Sequence, residues 1–148
     1  MMKSIIVAMA AGLMLSTGAA VANAQDKATK NNFEEKVRAI NSLGKKSETA
    51  NVGFRTISVE TGVSFDEVKG MHKKHPDAGP AGLMIACVLA DETKTAPEKF
   101  LQGHIDGKSW EAMIRDHHVP LEKVNERLDH LERSMSNPSK SEKTVKSR

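Results

Sequence analysis

The chain has no tyrosine, one tryptophan and four phenylalanines, so aromatic residues make up only 3% of its 148 positions. Phe33, Phe54, Phe65, Phe100 and Trp110 fall at positions that fit inward helix faces. That argues against an exposed ring platform for bases or sugars, and makes Trp110 an expected core filler. Cysteine is reduced to Cys87, so no intrachain disulfide can form. Cys87 lies in an apolar run, whereas a reactive thiolate needs partial exposure and positive neighbours; a small buried hydrophobe is the expected role. No G-x-S-x-G, phosphate loop or H-E-x-x-H occurs, so no catalytic residues are expected and the chain does not read as an enzyme. Beyond the N-terminal leader, long apolar runs are also missing. Gly82–Ala90, GLMIACVLA, is the only stretch apolar on every side. A bilayer span needs about 20 such residues, so this run is expected to be a helix inside a core, and no transmembrane segment is expected after the leader.

Strong charge of either sign is absent as well. The formal net charge is +3, and Lys3 belongs to the leader, which leaves +2. Residues 134–148 hold +3 of that through Lys140, Lys143, Lys146 and Arg148 against Glu142, so the body carries −1. A near-neutral body with a basic tail lacks the electrostatic footprint of a phosphate-binding surface, and a nucleic-acid partner is not expected.

The N-terminus reads as an export signal. Lys3 supplies a positive start, Ile5 to Leu15 an apolar core, and Ala22-Asn23-Ala24 an A-x-A cleavage site, with no acidic residue before Asp26. Residues 1–24 are therefore expected to be a cleaved signal peptide, with the mature protein in the periplasm or secreted. Residues 25–136 are expected to form one helical domain, and residues 137–148 a disordered basic tail. Gln25 to Asn31 is expected to be loose. Asn32, three residues before Glu35, has capping-box-like spacing ahead of Phe33, Val37 and Ile40, which recur at i, i+4 and i+7. Leu43 continues that face, Gly44 is a plausible stop, and Lys45 to Ala50 reads as a polar connector.

The rest contains an internal repeat. Glu60–Val68, ETGVSFDEV, aligns with Glu92–Phe100, ETKTAPEKF, at a shift of 32, and both align with Asp116–Val124, DHHVPLEKV, at a further shift of 24. Acidic residues coincide at Glu60, Glu92 and Asp116, and apolar residues at Val68, Phe100 and Val124. Phe54, Ile57 and Ser58 align with Ala86, Leu89 and Ala90, and with Trp110, Met113 and Ile114. Each unit reads as helix, turn, helix, over residues 53–72, 82–104 and 110–134. Gly62 can end a helix in the left-handed conformation, and His118 takes its place in the third unit. Ser64-x-x-Glu67 and Thr95-x-x-Glu98 fit capping boxes, and Pro97 and Pro120 suit a first turn. His75–Pro80 reads as a helix-breaking linker. Leu121, Val124, Leu128, Leu131 and Met135 form a stripe at spacings of three and four. Packing on its own domain is its expected use, with self-association through the C-terminal helix as the second.

The expected fold is all-α: a small single domain of about six or seven short helices arranged as tandem helix-turn-helix hairpins. Its core is expected to include Leu83, Ile85, Ala86, Leu89, Trp110, Ile114, Leu121, Val124 and Leu128. Ile57–Val68 and Trp110–Val124 resemble bacterial helix-turn-helix DNA-binding domains. That resemblance implies Asp66, Glu67 and Lys69, or Glu122, Lys123 and Asn125, in a major groove. Acidic residues among them would be repelled by phosphates, and no arginine appears there until Arg127. The histidines all lie between His72 and His130, and His72, His75, His117 and His118 are the candidates for a zinc or copper site. Lys73 and Lys74 oppose a cation there, so no cofactor is expected. ETGVSFDEV, LMIACVLADET and GKSWEAMIRDHHVPLEKV together resemble small exported bacterial helical proteins with repeated ETGV-type turns and a G-K-S-W segment, a resemblance that implies no activity. The expected function is that of an exported helical interaction or structural module with an unknown protein partner in the envelope. DNA binding and histidine-based metal binding are the alternatives.

Overall fold

The computed structural model describes residues 18–139, with side chains from residue 27 onward. Most of the expected leader and tail lie outside the described residues. Within them the chain is all-α: α1 (Gly18–Leu43), α2 (Ser47–Thr61), α3 (Phe65–Lys74), a short 3-10 turn η1 (Pro76–Ala78), α4 (Gly79–Thr93), α5 (Pro97–Ile105), α6 (Trp110–Asp116) and α7 (Leu121–Ser136).

α4 is the axis of the fold because nothing on its surface from Gly79 to Ala90 prefers water. Every residue from Gly79 to Ala90 is buried, and Leu83, Met84, Ile85, Ala86 and Leu89 are fully enclosed. Removing a Leu or Ile side chain from water is worth about 1.5–3 kcal/mol, so a helix buried on all sides recruits the amphipathic helices around it. α1, α2, α3, α5, α6 and α7 all touch it. Small residues set how closely they approach. A Cβ on Gly82 would lie 2.9 Å from the Trp110 ring, and one on Gly44 only 2.5 Å from Pro80.

The helix ends follow from local chemistry. Gly62 closes α2 at φ 75°, its amide bonded to the Ser58 carbonyl. Ser64 then caps α3 with a complete capping box. Its hydroxyl accepts from the Glu67 amide at 3.3 Å, and its own amide donates to the Glu67 carboxylate at 3.1 Å. The Ser64 hydroxyl also donates to that carboxylate at 2.7 Å, and this bond together with the one from the Ser64 amide holds the Glu67 carboxyl below its ordinary pKa. Gly62, Lys94 and His118 occupy the same place in the repeat register, and all three adopt the left-handed conformation, at φ 75°, 55° and 55°.

Several local expectations need correction. Gln25–Asn31 is not loose but helical, as part of α1, and Asn32 lies inside that helix rather than at its cap. The segment has no apolar period, but its Ala, Lys and Gln residues are good helix formers. The connector after Gly44 is shorter than expected, because α2 begins at Ser47. Thr95 caps nothing: Ala96 is the N-cap of α5, without a side-chain bond, and the Thr95 hydroxyl turns back to the Thr93 carbonyl. Pro97 does start its helix, whereas Pro120 stands one position outside α7. The His75–Pro80 stretch is ordered as η1 and the first turn of α4, held by Asn41. The Asn41 side chain donates to the Ala78 carbonyl at 3.1 Å and accepts from the Ala81 amide at 3.0 Å.

The inward stripe of α7 is taken up within the domain. Val124, Leu128, Leu131 and Met135 are buried, and the helix packs on α1, α2 and α4. Leu121 is only partly buried, at the start of the helix where the core thins. Leu83, Ile85, Ala86, Leu89, Trp110, Ile114, Val124 and Leu128 all lie in the core. Phe65 departs from the inward pattern. It is partly buried, with Arg55 and Lys69 each within 6 Å of its ring centroid, at 5.8 and 5.4 Å.

Candidate functional site

The residues capable of chemistry are dispersed through this fold. His72, on α3, lies against Phe54 of α2 with ring centroids 4.8 Å apart, and burial lowers its pKa. His117, at the end of α6, meets the edge of Phe100 at 5.2 Å. His130 of α7 donates from Nδ1 to Glu60 of α2 at 3.2 Å. His75 caps α3, and His118 occupies its left-handed turn. The adjacent pairs His72/His75 and His117/His118 thus belong to different corners. Among the described residues, no three side chains of His, Cys, Asp or Glu converge as a metal site would require. Cys87 is 1% exposed, and burial pushes its thiol up to about 12. A thiol so placed stays protonated and inert.

α2, the Gly62 turn and α3 form two consecutive helices joined by a tight turn. Beyond its capping box, α3 offers solvent Asp66, Lys69, Lys73 and Lys74, a face of mixed sign. In the third unit Lys123 pairs with Glu92 and Arg127 with Glu60, so the expected contact residues are partly spent on holding α7 in place.

One concave feature draws on several elements at once. A groove of about 340 Å³ runs between α1, η1 and the α5–α6 corner. Phe33 and Val37 of α1, Ala78 of η1 and Trp110 of α6 supply its apolar lining. Asn41, already bonded to the end of η1 and the first turn of α4, fixes the distance from α1 to η1. Gly79 makes that staple possible: at φ 65°, a Cβ there would come within 2.3 Å of the Asn41 side-chain oxygen. The opposite wall is held by the α5–α6 corner. The His104 ring stacks on Trp110 at 4.3 Å and 17°, and its Nδ1 donates to the Lys108 carbonyl at 3.0 Å. Because a carbonyl can only accept, Nδ1 carries the proton, which leaves Nε2 as the second polar atom of the ring. The Ser109 hydroxyl accepts from the Ala112 amide at 3.2 Å and starts α6, while Gly107 makes the turn at φ 100°.

The polar rim consists of Glu34 and Arg38 on α1, Asp77 on η1 and Glu111 on α6. Arg38 reaches Glu34 at 3.4 Å, one turn along the same helix. Lys30 reaches Oε2 of Glu111 at 3.5 Å. The other oxygen, Oε1, is buried and has no hydrogen-bond partner. A carboxylate oxygen removed from water normally has a donor, so this one carries a desolvation cost that no bond offsets. The sequence marks Trp110 as core and gives no sign of Glu111 or Glu34. The G-K-S-W segment was the one available signal, because its serine and tryptophan shape the corner.

Comparison with protein-family models, with curated proteins and with solved structures finds no match to this chain.

Proposed function

We propose that the protein is an exported, non-catalytic binding module of the bacterial envelope, and that the groove between α1 and the α5–α6 corner is its recognition site. The observation that carries this reading is that groove, partly apolar and assembled from three separate parts of the chain. The scattering of the histidines and the inert setting of Cys87 support a binding role over a catalytic one. The N-terminal pattern of Lys3, the apolar Ile5–Leu15 and Ala22-Asn23-Ala24 supports export. No helix among the described residues is long and apolar enough to cross a membrane.

The test is capture of the mature protein's ligands from a native envelope extract, with a Glu34→Trp variant that fills the groove from an α1 position. A component retained by the native protein and lost from the variant supports the site. Equal retention by both moves recognition elsewhere, either to exposed helix faces or to the basic tail. Fractionation of cells carrying the full chain checks the location: recovery of an uncleaved form in the cytoplasm would refute export.

A further inference from the structure

The near-neutral total of the domain conceals an uneven surface. From Lys45 to Lys74 the cations are Lys45, Lys46, Arg55, Lys69, Lys73 and Lys74, against Glu48, Glu60, Asp66 and Glu67. Two of those acids are already engaged, Glu60 by Arg127 and His130 of α7, and Glu67 by Ser64. All six cations are exposed, and among the described residues none of them has a carboxylate partner. Over residues 75–139 the balance reverses, with seven Lys and Arg against eleven Asp and Glu. Positive charge is therefore concentrated on the α2–α3 hairpin and its approach.

The hairpin also holds apolar groups at the surface. α3 packs back along α2, with His72 against Phe54. Arg55 of α2 and Lys69 of α3 converge on the partly buried Phe65 ring, at 5.8 and 5.4 Å from its centroid. A ring face holds a cation in place without neutralising it, so both charges stay available. Lys73 follows Lys69 by one turn of α3 and shares its face. Val59, one turn after Arg55 on α2, is 63% exposed.

Lysine is depleted from protein–protein interfaces, whereas each Lys or Arg brought to an anionic bilayer strengthens attachment about fivefold. Long cationic side chains around half-exposed apolar groups suit the boundary between headgroups and hydrocarbon. A duplex is a poorer match, because Arg55 is the hairpin's one arginine and Asp66 stands unpaired beside Phe65. We propose that the α2–α3 hairpin is a peripheral docking surface for anionic phospholipid. Arg55, Lys69, Lys73 and Lys74 meet the headgroups, and Val59 and Phe65 rest at their apolar boundary. Neither helix lines the groove, so this surface and that site stand or fall separately.

The test is co-sedimentation of the mature chain, tail included, with vesicles of equimolar phosphatidylcholine and phosphatidylglycerol. Binding is expected to fall steeply as salt rises, and to be absent with phosphatidylcholine alone. The variant Arg55→Gln/Lys69→Gln/Lys73→Gln/Lys74→Gln is expected to bind about tenfold more weakly or worse. Lys94→Gln/Lys99→Gln/Lys108→Gln/Arg115→Gln removes the same charge elsewhere and is expected to change binding by less than about threefold. Val59→Glu, a single exposed substitution, is expected to weaken binding about fivefold, and carries the test if the first variant does not fold. Circular dichroism melting checks each fold. Equal losses in the two fourfold variants overturn the proposal, since attachment then follows total charge. Undiminished binding of the first variant or of Val59→Glu also overturns it, and moves attachment to the basic tail. Failure of the native chain to sediment with the anionic vesicles refutes the lipid surface outright. Its retention on polyglutamate or duplex DNA would then assign the cations to an acidic protein or a nucleic acid.

Discussion

Lys94 and His118 both hold φ at 55°, a conformation that costs an ordinary L-residue about 1–2 kcal/mol and glycine almost nothing. They end α4 and follow α6 at the register position where Gly62 ends α2. The repeated unit demands this turn whatever residue fills it. Lys94→Gly is therefore expected to raise stability by about 0.5–1 kcal/mol, the left-handed gain less the added freedom of the unfolded chain. Gly62→Ala is expected to lose about 1 kcal/mol through the backbone alone, since a Cβ there would meet nothing within 4 Å. Gly79→Ala carries a second penalty, the collision with Asn41, and is expected to lose about 3 kcal/mol or more. Urea unfolding of the three variants ranks them, and a Gly79→Ala loss no larger than that of Gly62→Ala would remove the Asn41 staple from the account. Cys87 gives a separate residue-level test. With 1% exposure and a thiol pKa of about 12, alkylation at neutral pH is expected to require opening of the fold. Its rate should rise with denaturant in step with unfolding, and rapid labelling in native buffer would contradict the burial of α4.

At the level of elements, the repeat has a use that its sequence alignment does not reveal. Glu60 and Glu92 are equivalent acids at the C-terminal ends of α2 and α4. They pair with Arg127 and Lys123, which sit one turn apart on α7. Lys36 of α1 adds a third pair, to Asp129 at 2.6 Å. The apolar stripe of α7 supplies its docking energy, and these flanking charges set its register. Glu60 makes that register pH-dependent. Burial raises its pKa, but the hydrogen bonds and charges of His130 and Arg127 outweigh this and hold the carboxyl below its ordinary 4.5. A depressed carboxylate contributes stability that is fully present above the ordinary value and is lost as pH falls through the folded one. Glu60→Gln is therefore expected to flatten the acid limb of a stability–pH curve below about 4.5. Near neutrality the change should be modest, about 1 kcal/mol, because the partners are half in solvent. An acid limb identical to that of the native chain would mean that Glu60 is not what ties α7 to α2.

On the scale of the whole molecule, the legible and the illegible parts of the fold divide by sequence distance. The Gly82–Ala90 run, the α7 stripe and the Gly62–Ser64 corner were readable because each is settled within a few residues, by composition or by a cap. Gln25–Asn31 was not, since helix propensity without an apolar face leaves no periodic mark. The groove was less readable still. Phe33, Asp77 and Glu111 come from distant points of the chain and meet only because α1 lies across η1 and the α5–α6 corner. α1 is therefore both a wall of the site and a cover for the core, and its two ends differ in importance. Within the described side chains its core contacts begin at Phe33 and continue through Ile40, while Lys27 to Asn32 are exposed. A chain starting at Gln25, the product of the proposed cleavage after Ala24, keeps Lys30 and all of those contacts. It is expected to unfold cooperatively and to keep the native emission of Trp110. A chain starting at Ser47 loses the Asn41 staple and leaves an apolar slot where Phe33 and Ile40 were. Each of those losses costs about 2–5 kcal/mol, which together approach the whole stability of a small domain. That shorter chain is expected to lose its cooperative transition and to shift Trp110 emission toward that of a solvated indole. Native-like emission from it would show that α1 is an accessory to the fold, and the groove could then not owe its shape to α1.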